Sequence, residues 1–374
     1  MRLLIAGGGT GGHVFPAIAM AREWLRRANA PDSIEKGSRE VLLVGTKIGL
    51  EAKLVPPTGL PFATIRVAGL KGIGGAKLMR NLATLPASAW DSQKILGQHH
   101  FDAALGVGGY ASGPMIAAAV TRRVPTLIFE PNIEPGFTNR VLAPFVTRIA
   151  TAFPQTATRF GAKAQVTGVP VRREFFQAPG QAPKTAPAKL NLLITGGSRG
   201  ASPINTAFIR AIPILAARKN ELFIVHQTGE RDYNDVHLAY ANAQIHAEVV
   251  PFIEHMAERF AQADLIVCRA GAITVAEISA AGRAAIFIPF AAATDAHQFK
   301  NAQALAESGA ARILPQNELT PERLSSEIFA FLDQPAQLTE IASRARSFAH
   351  PRAAEEIVDI LEGIIRSPRQ GAIQ

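Results

Sequence analysis

The residues best suited to chemistry in this chain are three glycine runs and the polar side chains beside them. The first run is Gly7-Gly-Gly-Thr-Gly-Gly-His13, in which Gly7, Gly9 and Gly12 have G-x-G-x-x-G spacing directly after the apolar stretch Arg2-Leu-Leu-Ile-Ala6. Glycine reaches backbone conformations closed to other residues and lets the main chain approach a ligand, while a helix N-terminus attracts negative charge. Phosphate binding is the chemistry that follows. The dinucleotide form of this motif also needs an acidic residue at the end of the second strand to hold a ribose. Here that strand ends Leu43-Val-Gly45-Thr46 without a carboxylate, and Asp32 falls in a Pro- and Ser-containing loop. Both facts count against an NAD-binding oxidoreductase.

The second run, Gly106-Val-Gly-Gly-Tyr-Ala-Ser-Gly113, and the third, Gly196-Gly-Ser-Arg-Gly200, also follow apolar stretches. Any one of them can be a simple strand-to-helix turn; three together suggest a phosphate-rich ligand spread over two domains. None carries the Gly-Lys-Ser/Thr of a Walker A loop. His13 stands at a helix start, where a neutral imidazole can take a proton near pH 7 or can cap the helix or bind an anion. Ser198 can donate to a phosphate or act as an N-cap. Glu130 and Asn132 end an apolar stretch, where site residues collect in such folds. Glu277 interrupts an otherwise apolar helical stretch, 272–281. A buried, unpaired carboxylate is costly, so Glu277 needs a partner.

These side chains need a scaffold, and the hydrophobic pattern supplies one. Short apolar runs at 2–6, 41–44, 103–105 and 125–129 alternate with longer helical patterns, the first at about 14–28. Strand–helix alternation implies βαβ units and a parallel sheet. Prolines at every fourth position argue against helix or strand in 178–189, and the pattern restarts at 190–194. Further strands are expected near 222–225, 264–268 and 285–288. Helices are expected near 204–218 and 353–366, the last with Ile357, Ile360, Leu361 and Ile364 at helical spacing. The expected architecture is α/β: two successive Rossmann-like parallel-sheet domains facing across a cleft, with ligands beyond the carboxyl ends of the strands.

Composition narrows the class. The 374 residues are 48% hydrophobic and 18% charged, enough apolar material for sizeable cores and too little charge for a disordered chain. The net charge of +9 favours an anionic partner. Aromatics are only 7%, and there is no aromatic-rich basic segment of the base-stacking type, so no nucleic-acid partner is expected. The single cysteine, Cys268, rules out an internal disulfide and a Cys-based zinc site, and its apolar surroundings mark it as a buried structural thiol. The first apolar run is too short for a signal-peptide core, and Gly and Pro interrupt the uncharged stretch 103–120. A cytoplasmic protein that touches a membrane without crossing it is the expectation.

These motifs together resemble the MurG family of GT-B glycosyltransferases, which serves peptidoglycan synthesis. The resemblance rests on Gly7 to Pro16 (GGGTGGHVFP), the second and third glycine runs and Thr167-Gly-Val-Pro-Val-Arg172. It extends through Pro251-Phe-Ile-Glu-His-Met256, Cys268-Arg-Ala-Gly-Ala-Ile-Thr-Val-Ala-Glu277 and Asp295-Ala-His-Gln-Phe-Lys-Asn301. It implies inverting transfer of N-acetylglucosamine from UDP-N-acetylglucosamine to the undecaprenyl-diphosphate-linked muramoyl-pentapeptide; another GT-B transferase with a lipid acceptor is the near alternative. The implied domains are 1–167, an acceptor and membrane-associating half on which a helix at about 351–374 packs back, and 168–350, the UDP-sugar half.

The resemblance also implies roles. His13 becomes the catalytic base, with Asn132 beside the sugar. Donor contacts fall to Thr10, Gly11, Gly12, Asn132, Arg172, Ser198, Ile253, Ala272, Ile273, Thr274, Val275, Ala276, Glu277, His297 and Gln298, with Glu277 on the ribose and the Phe252–Ile253 backbone on the uracil. Gly108, Gly109 and Tyr110 are candidates for the acceptor diphosphate. No Asp-x-Asp occurs, so no metal and no cofactor is expected, with helix N-termini and basic groups around the diphosphate instead. The family differs at Phe129, Pro131 and Val169, where it often has His, Gln and Asn. The apolar and basic stretch 70–80, with Leu82, Leu85 and Trp90 beyond, corresponds to the family's membrane-facing patch and suits an anionic inner-membrane surface on the cytoplasmic side.

Overall fold

Strands buried on both faces read as continuous apolar runs, and that is how this chain's apolar stretches fold. The computed structural model describes residues 1–9, 11–29, 38–67, 84–177, 189–197, 200–290 and 296–366. Thr10, Ser198, the stretch 70–80 with Leu82, and the proline-rich 178–188 lie outside the described residues. The chain divides into two units, Met1–Val171 with Arg352–Gln374, and Arg172–Pro351.

The first unit is built on a parallel sheet of β1 (Arg2–Ala6), β2 (Glu40–Gly45), β3 (Phe62–Thr64), β4 (Ala103–Gly106), β5 (Thr126–Glu130), β6 (Arg148–Thr151) and β7 (Ala164–Val166), ordered β3-β2-β1-β4-β5-β6-β7. The second holds β8 (Leu190–Thr195), β9 (Leu222–Gln227), β10 (Ala247–Val250), β11 (Leu265–Cys268), β12 (Ala284–Phe287) and β13 (Arg312–Ile313), ordered β10-β9-β8-β11-β12-β13. Counted from its own first strand, each sheet contains the order 3-2-1-4-5-6, with a seventh strand added at the end of the first; this doubly wound order reverses between strands 1 and 4. The expected pair of Rossmann-like parallel sheets is present. The reversal decides where ligands go, because the chain leaves in opposite directions on its two sides. In the first unit it is flanked by the first and second glycine loops, and in the second by the third loop and the segment after Cys268. Cys268 itself is buried, and burial pushes its thiol well above the ordinary range.

Strands absent from the sequence reading are mostly edges. β3, β7, β10 and β13 close the two sheets, are short, and are only half-buried. One-sided burial needs no continuous apolar run, so the signal that marks β1 or β5 is missing. Helix limits also moved. The first helix, Gly11–Arg26, starts before Val14 and takes His13 into its first turn. The Ser202–Leu215 helix gives way before residue 218 to a 3-10 segment, Ala216–Glu221, with Arg218 at φ −123°.

The helix Ala353–Arg366 packs against Gly11–Arg26 in the first unit and buries Ile357, Val358, Leu361 and Ile364. Its polar side is tied down by Glu362, which accepts from Arg27 Nη1 at 3.0 Å and Arg39 Nη1 at 2.9 Å. The Arg39 guanidinium in turn lies 4.6 Å over the ring of buried Trp24. Burial pushes the Glu362 carboxyl up, but Arg39 and Arg27 outweigh it and hold the group below the usual range. Glu362→Ala leaves two partly buried guanidiniums short of an acceptor. It is expected to cost about 2 kcal/mol and to lower the thermal midpoint by about 4–8 °C at neutral pH. A calorimetric midpoint within a degree of wild type would contradict this. Among the described residues, no helix is long and apolar enough to cross a membrane.

Candidate active site

In the first unit the site residues gather at the carboxyl ends of β1, β4 and β5. The first two glycine loops are packed into each other. A Cβ on Gly109, which has φ +80°, would lie 2.0 Å from the Gly8 carbonyl oxygen, so only glycine lets the loops meet. A Cβ on Gly108 would lie 2.9 Å from His13 Nε2, so the imidazole is laid against the second loop. Gly11, Gly12 and His13 form the first helical turn, the positive end of the helix dipole, which favours an anion. The structure thus brings His13, Gly108 and Gly109 together; Tyr110 is half exposed beside them.

Asn132 follows β5 and is held by Glu130. Its backbone N–H and its Nδ2 both donate to Glu130 Oε1, at 3.0 and 3.1 Å. Glu130 Oε2 accepts from Gly136 N–H and Asn139 Nδ2, both at 2.9 Å. Burial raises the Glu130 carboxyl above its ordinary range against the pull of these four donors. Its role is to shape the loop that carries Asn132. Phe129 is fully buried in the sheet and Val169 is nearly so. Leu85 and Trp90 are exposed on the helix Leu85–Gln98.

In the second unit Arg172 and Glu277 meet. Arg172 Nη2 lies 3.8 Å from Glu277 Oε1, and the guanidinium lies 5.0 Å from the centroid of the Phe175 ring. The Glu277 side chain is 15% exposed, and burial pushes its carboxyl up to about 7 against the opposing charge of Arg172. Arg172 is therefore a partner for this carboxylate. Glu277 sits in the helix Ala272–Ala281, which begins after extended Gly271. Ala272 and Val275 are buried, while Ile273, Thr274, Ala276 and Glu277 keep some exposure. His297 and Gln298 lie in the first turn of the helix His297–Ala306, where Gln298 Oε1 accepts from Phe290 N–H at 2.9 Å. Asn301 is buried and its Nδ2 donates to the Ala270 carbonyl at 3.4 Å, supporting the segment that leads into the Glu277 helix.

Two residues beside these glycine loops escaped the sequence reading. Gln227, the buried last residue of β9, donates through Nε2 to the Gly197 carbonyl at 2.8 Å and accepts at Oε1 from Ile253 N–H at 2.9 Å. It joins the third glycine loop to the segment expected to read a base. The Ile253 N–H is engaged by Gln227, so reading a base edge with that group requires this bond to exchange. The signal for Gln227 was present: a polar residue ending an apolar strand, as at Glu130. The second is Glu51, a buried carboxylate at the first glycine loop, which lies well past the strand end where an acidic residue is normally sought.

Residues 3–151 match the glycosyltransferase family 28 N-terminal domain and residues 191–357 its C-terminal domain. The UDP-N-acetylglucosamine–N-acetylmuramyl-(pentapeptide) pyrophosphoryl-undecaprenol N-acetylglucosamine transferase of Syntrophus aciditrophicus is 43% identical over 98% of this chain and 99% of its own length. The protein of the same name from Solibacter usitatus is 42% identical over 97% of this chain and 96% of its own. Among solved structures, MurG of Acinetobacter baumannii is 33% identical, with a TM-score of 0.77 over 97% of this chain and 99% of that one. With both family domains matched in order and full-length relatives well above 30% identity, the chain belongs to glycosyltransferase family 28 and is a glycosyltransferase of the GT-B fold.

Proposed function

We propose that this chain transfers N-acetylglucosamine from UDP-N-acetylglucosamine to the 4-hydroxyl of undecaprenyl-diphosphate-linked N-acetylmuramoyl-pentapeptide, with inversion at the anomeric carbon. The observation that carries the proposal is the 43% identity, over 98% of this chain, with a transferase named for that donor and acceptor. The second unit takes the donor. Glu277 accepts from the ribose hydroxyls, with Arg172 fixing its charge. Phe252 and Ile253 border the uracil, and the N-terminal turn at Ala272–Ala276, with Ser198, meets the diphosphate. His297 and Gln298 meet the sugar hydroxyls.

The first unit takes the acceptor, with Gly108, Gly109 and Tyr110 near its diphosphate, and Thr10, Gly11, Gly12 and Asn132 toward the donor sugar. A ring nitrogen of His13 removes the proton from the acceptor hydroxyl as that oxygen bonds to the anomeric carbon. The carbon–oxygen bond to the β-phosphate breaks and UDP leaves with the electron pair. Helix N-terminal dipoles stabilise the departing charge, and the reaction calls for no cofactor or metal. The enzyme works peripherally at the cytoplasmic face of the inner membrane, where its net charge of +9 and exposed Leu85 and Trp90 suit an anionic lipid surface.

The test is transfer of labelled N-acetylglucosamine from its UDP donor to a short-chain lipid-linked muramoyl-pentapeptide by the purified protein. The expected product is the lipid-linked disaccharide. Turnover of a different UDP-sugar with none of this one would overturn the donor. Transfer only to an unrelated lipid acceptor would overturn the acceptor.

A further inference from the structure

Glu51 lies well past the end of β2, in the helix Glu51–Leu54, and its carboxylate is turned inward. It is 2% exposed. Oε2 accepts from Gly9 N–H at 2.7 Å, and Oε1 accepts from the Thr46 N–H at 2.8 Å and the Thr46 hydroxyl at 2.7 Å. The Thr46 hydroxyl oxygen in turn accepts from Gly49 N–H at 3.0 Å. Three glycines close around the acid: a Cβ on Gly8, Gly45 or Gly49 would lie 2.2, 2.4 or 2.2 Å from the Glu51 side chain. The carboxylate thus has donors on both oxygens and glycine backbone packed against it. Burial pushes the carboxyl up, but the Gly9 and Thr46 donors outweigh it and hold the group below the ordinary range, so it is ionised at neutral pH.

The loop it grips leads to His13. Gly8 abuts Gly109, and Gly108 bears on the His13 ring. A shift of Gly8 and Gly9 therefore passes into both loops that frame the imidazole. We infer that Glu51 is a positioning residue for transfer: its carboxylate sets the first glycine loop in the shape that aims His13 at the acceptor hydroxyl. This rests on the transferase reading above.

Glu51→Gln is the discriminating variant. It keeps shape, but its amide NH₂ must face either the Gly9 N–H or the Thr46 donors, so one contact becomes donor against donor. A misplaced catalytic group loses rate steeply, so kcat is expected to fall about tenfold to a hundredfold. The affinity for UDP, titrated calorimetrically and carried by the second unit, should stay within about twofold, since no contact there changes. Thr46→Val, which removes one donor to the carboxylate, should give a smaller fall of the same kind and serves if Glu51→Gln does not fold. Formate added to Glu51→Ala should restore part of the rate by refilling the carboxylate's place. Wild-type kcat in Glu51→Gln, or loss of UDP affinity in step with kcat, would overturn the inference. An inactive wild type in the same assay would instead overturn the transferase reading.

Discussion

Replacing His13 with alanine is expected to lower kcat by about 10²–10⁴-fold while UDP affinity stays close to wild type. A sugar hydroxyl is a poor nucleophile until its proton leaves, and a positioned base supplies that step in the transition state rather than in ground-state binding. His13 stands in the first turn of Gly11–Arg26 with its ring against Gly108, in the unit that does not contain Glu277 or Arg172. With the ribose and uracil contacts proposed for the second unit, removing the imidazole is expected to leave them in place. Steady-state kinetics together with UDP titration separates the two quantities. Wild-type turnover in His13→Ala would remove this residue as the base, and a matched loss of UDP affinity would make it a donor-binding group instead.

Replacing Glu277 with alanine should act in the opposite way, raising the KM for UDP-N-acetylglucosamine by about a hundredfold. Hydrogen bonds from ribose hydroxyls to an ionised carboxylate are worth about 1.5–3 kcal/mol each. The pH dependence gives a sharper check. The Glu277 carboxyl is pushed up to about 7 by burial, with Arg172 opposing. Accepting two hydroxyls requires the ionised form, so the donor must expel a proton at lower pH. KM should rise as pH falls below about 7, approaching tenfold per pH unit. Glu277→Gln should flatten that limb, and Arg172→Ala should move it to higher pH.

The stability effect has the other sign. The folded carboxyl holds its proton more tightly than the unfolded one, whose ordinary value is 4.5, so this group favours folding at low pH and loses that contribution as pH rises through about 7. Glu277→Gln should therefore raise the thermal midpoint above pH 7 while weakening the donor. A KM for the wild type that does not change between pH 5.5 and 8 would contradict the assignment.

Much of this was legible in the residues. Central strands such as β1 and β5 are buried on both faces, so their apolar runs mark them without any partner being known. Gly7–Gly9, Gly108–Gly109 and Gly196–Gly197 announce close backbone approach, and Glu277 announces a need for a partner. The half-buried edge strands and the start of the first helix at Gly11 were not legible, because one-sided burial and a glycine-rich first turn leave no periodic pattern. Gln227 and Glu51 were hidden for a different reason. Each acts on a segment far from it in sequence or past the expected strand end, and only the packing shows which N–H groups it meets.

The sequence by itself determined the two α/β halves, the three glycine turns, the lone buried thiol and the identity of the polar side chains near the strand ends, since burial period, backbone freedom and residue chemistry are local properties. Only the tertiary structure decided that Arg172 is near Glu277, that Gln227 joins Gly197 to Ile253, and that Glu51 accepts from Gly9 and Thr46 at the first glycine loop. Those pairings depend on the strand order, which brings the two chain ends beside each sheet's reversal together, and on the direction in which a buried carboxylate must turn to find its donors.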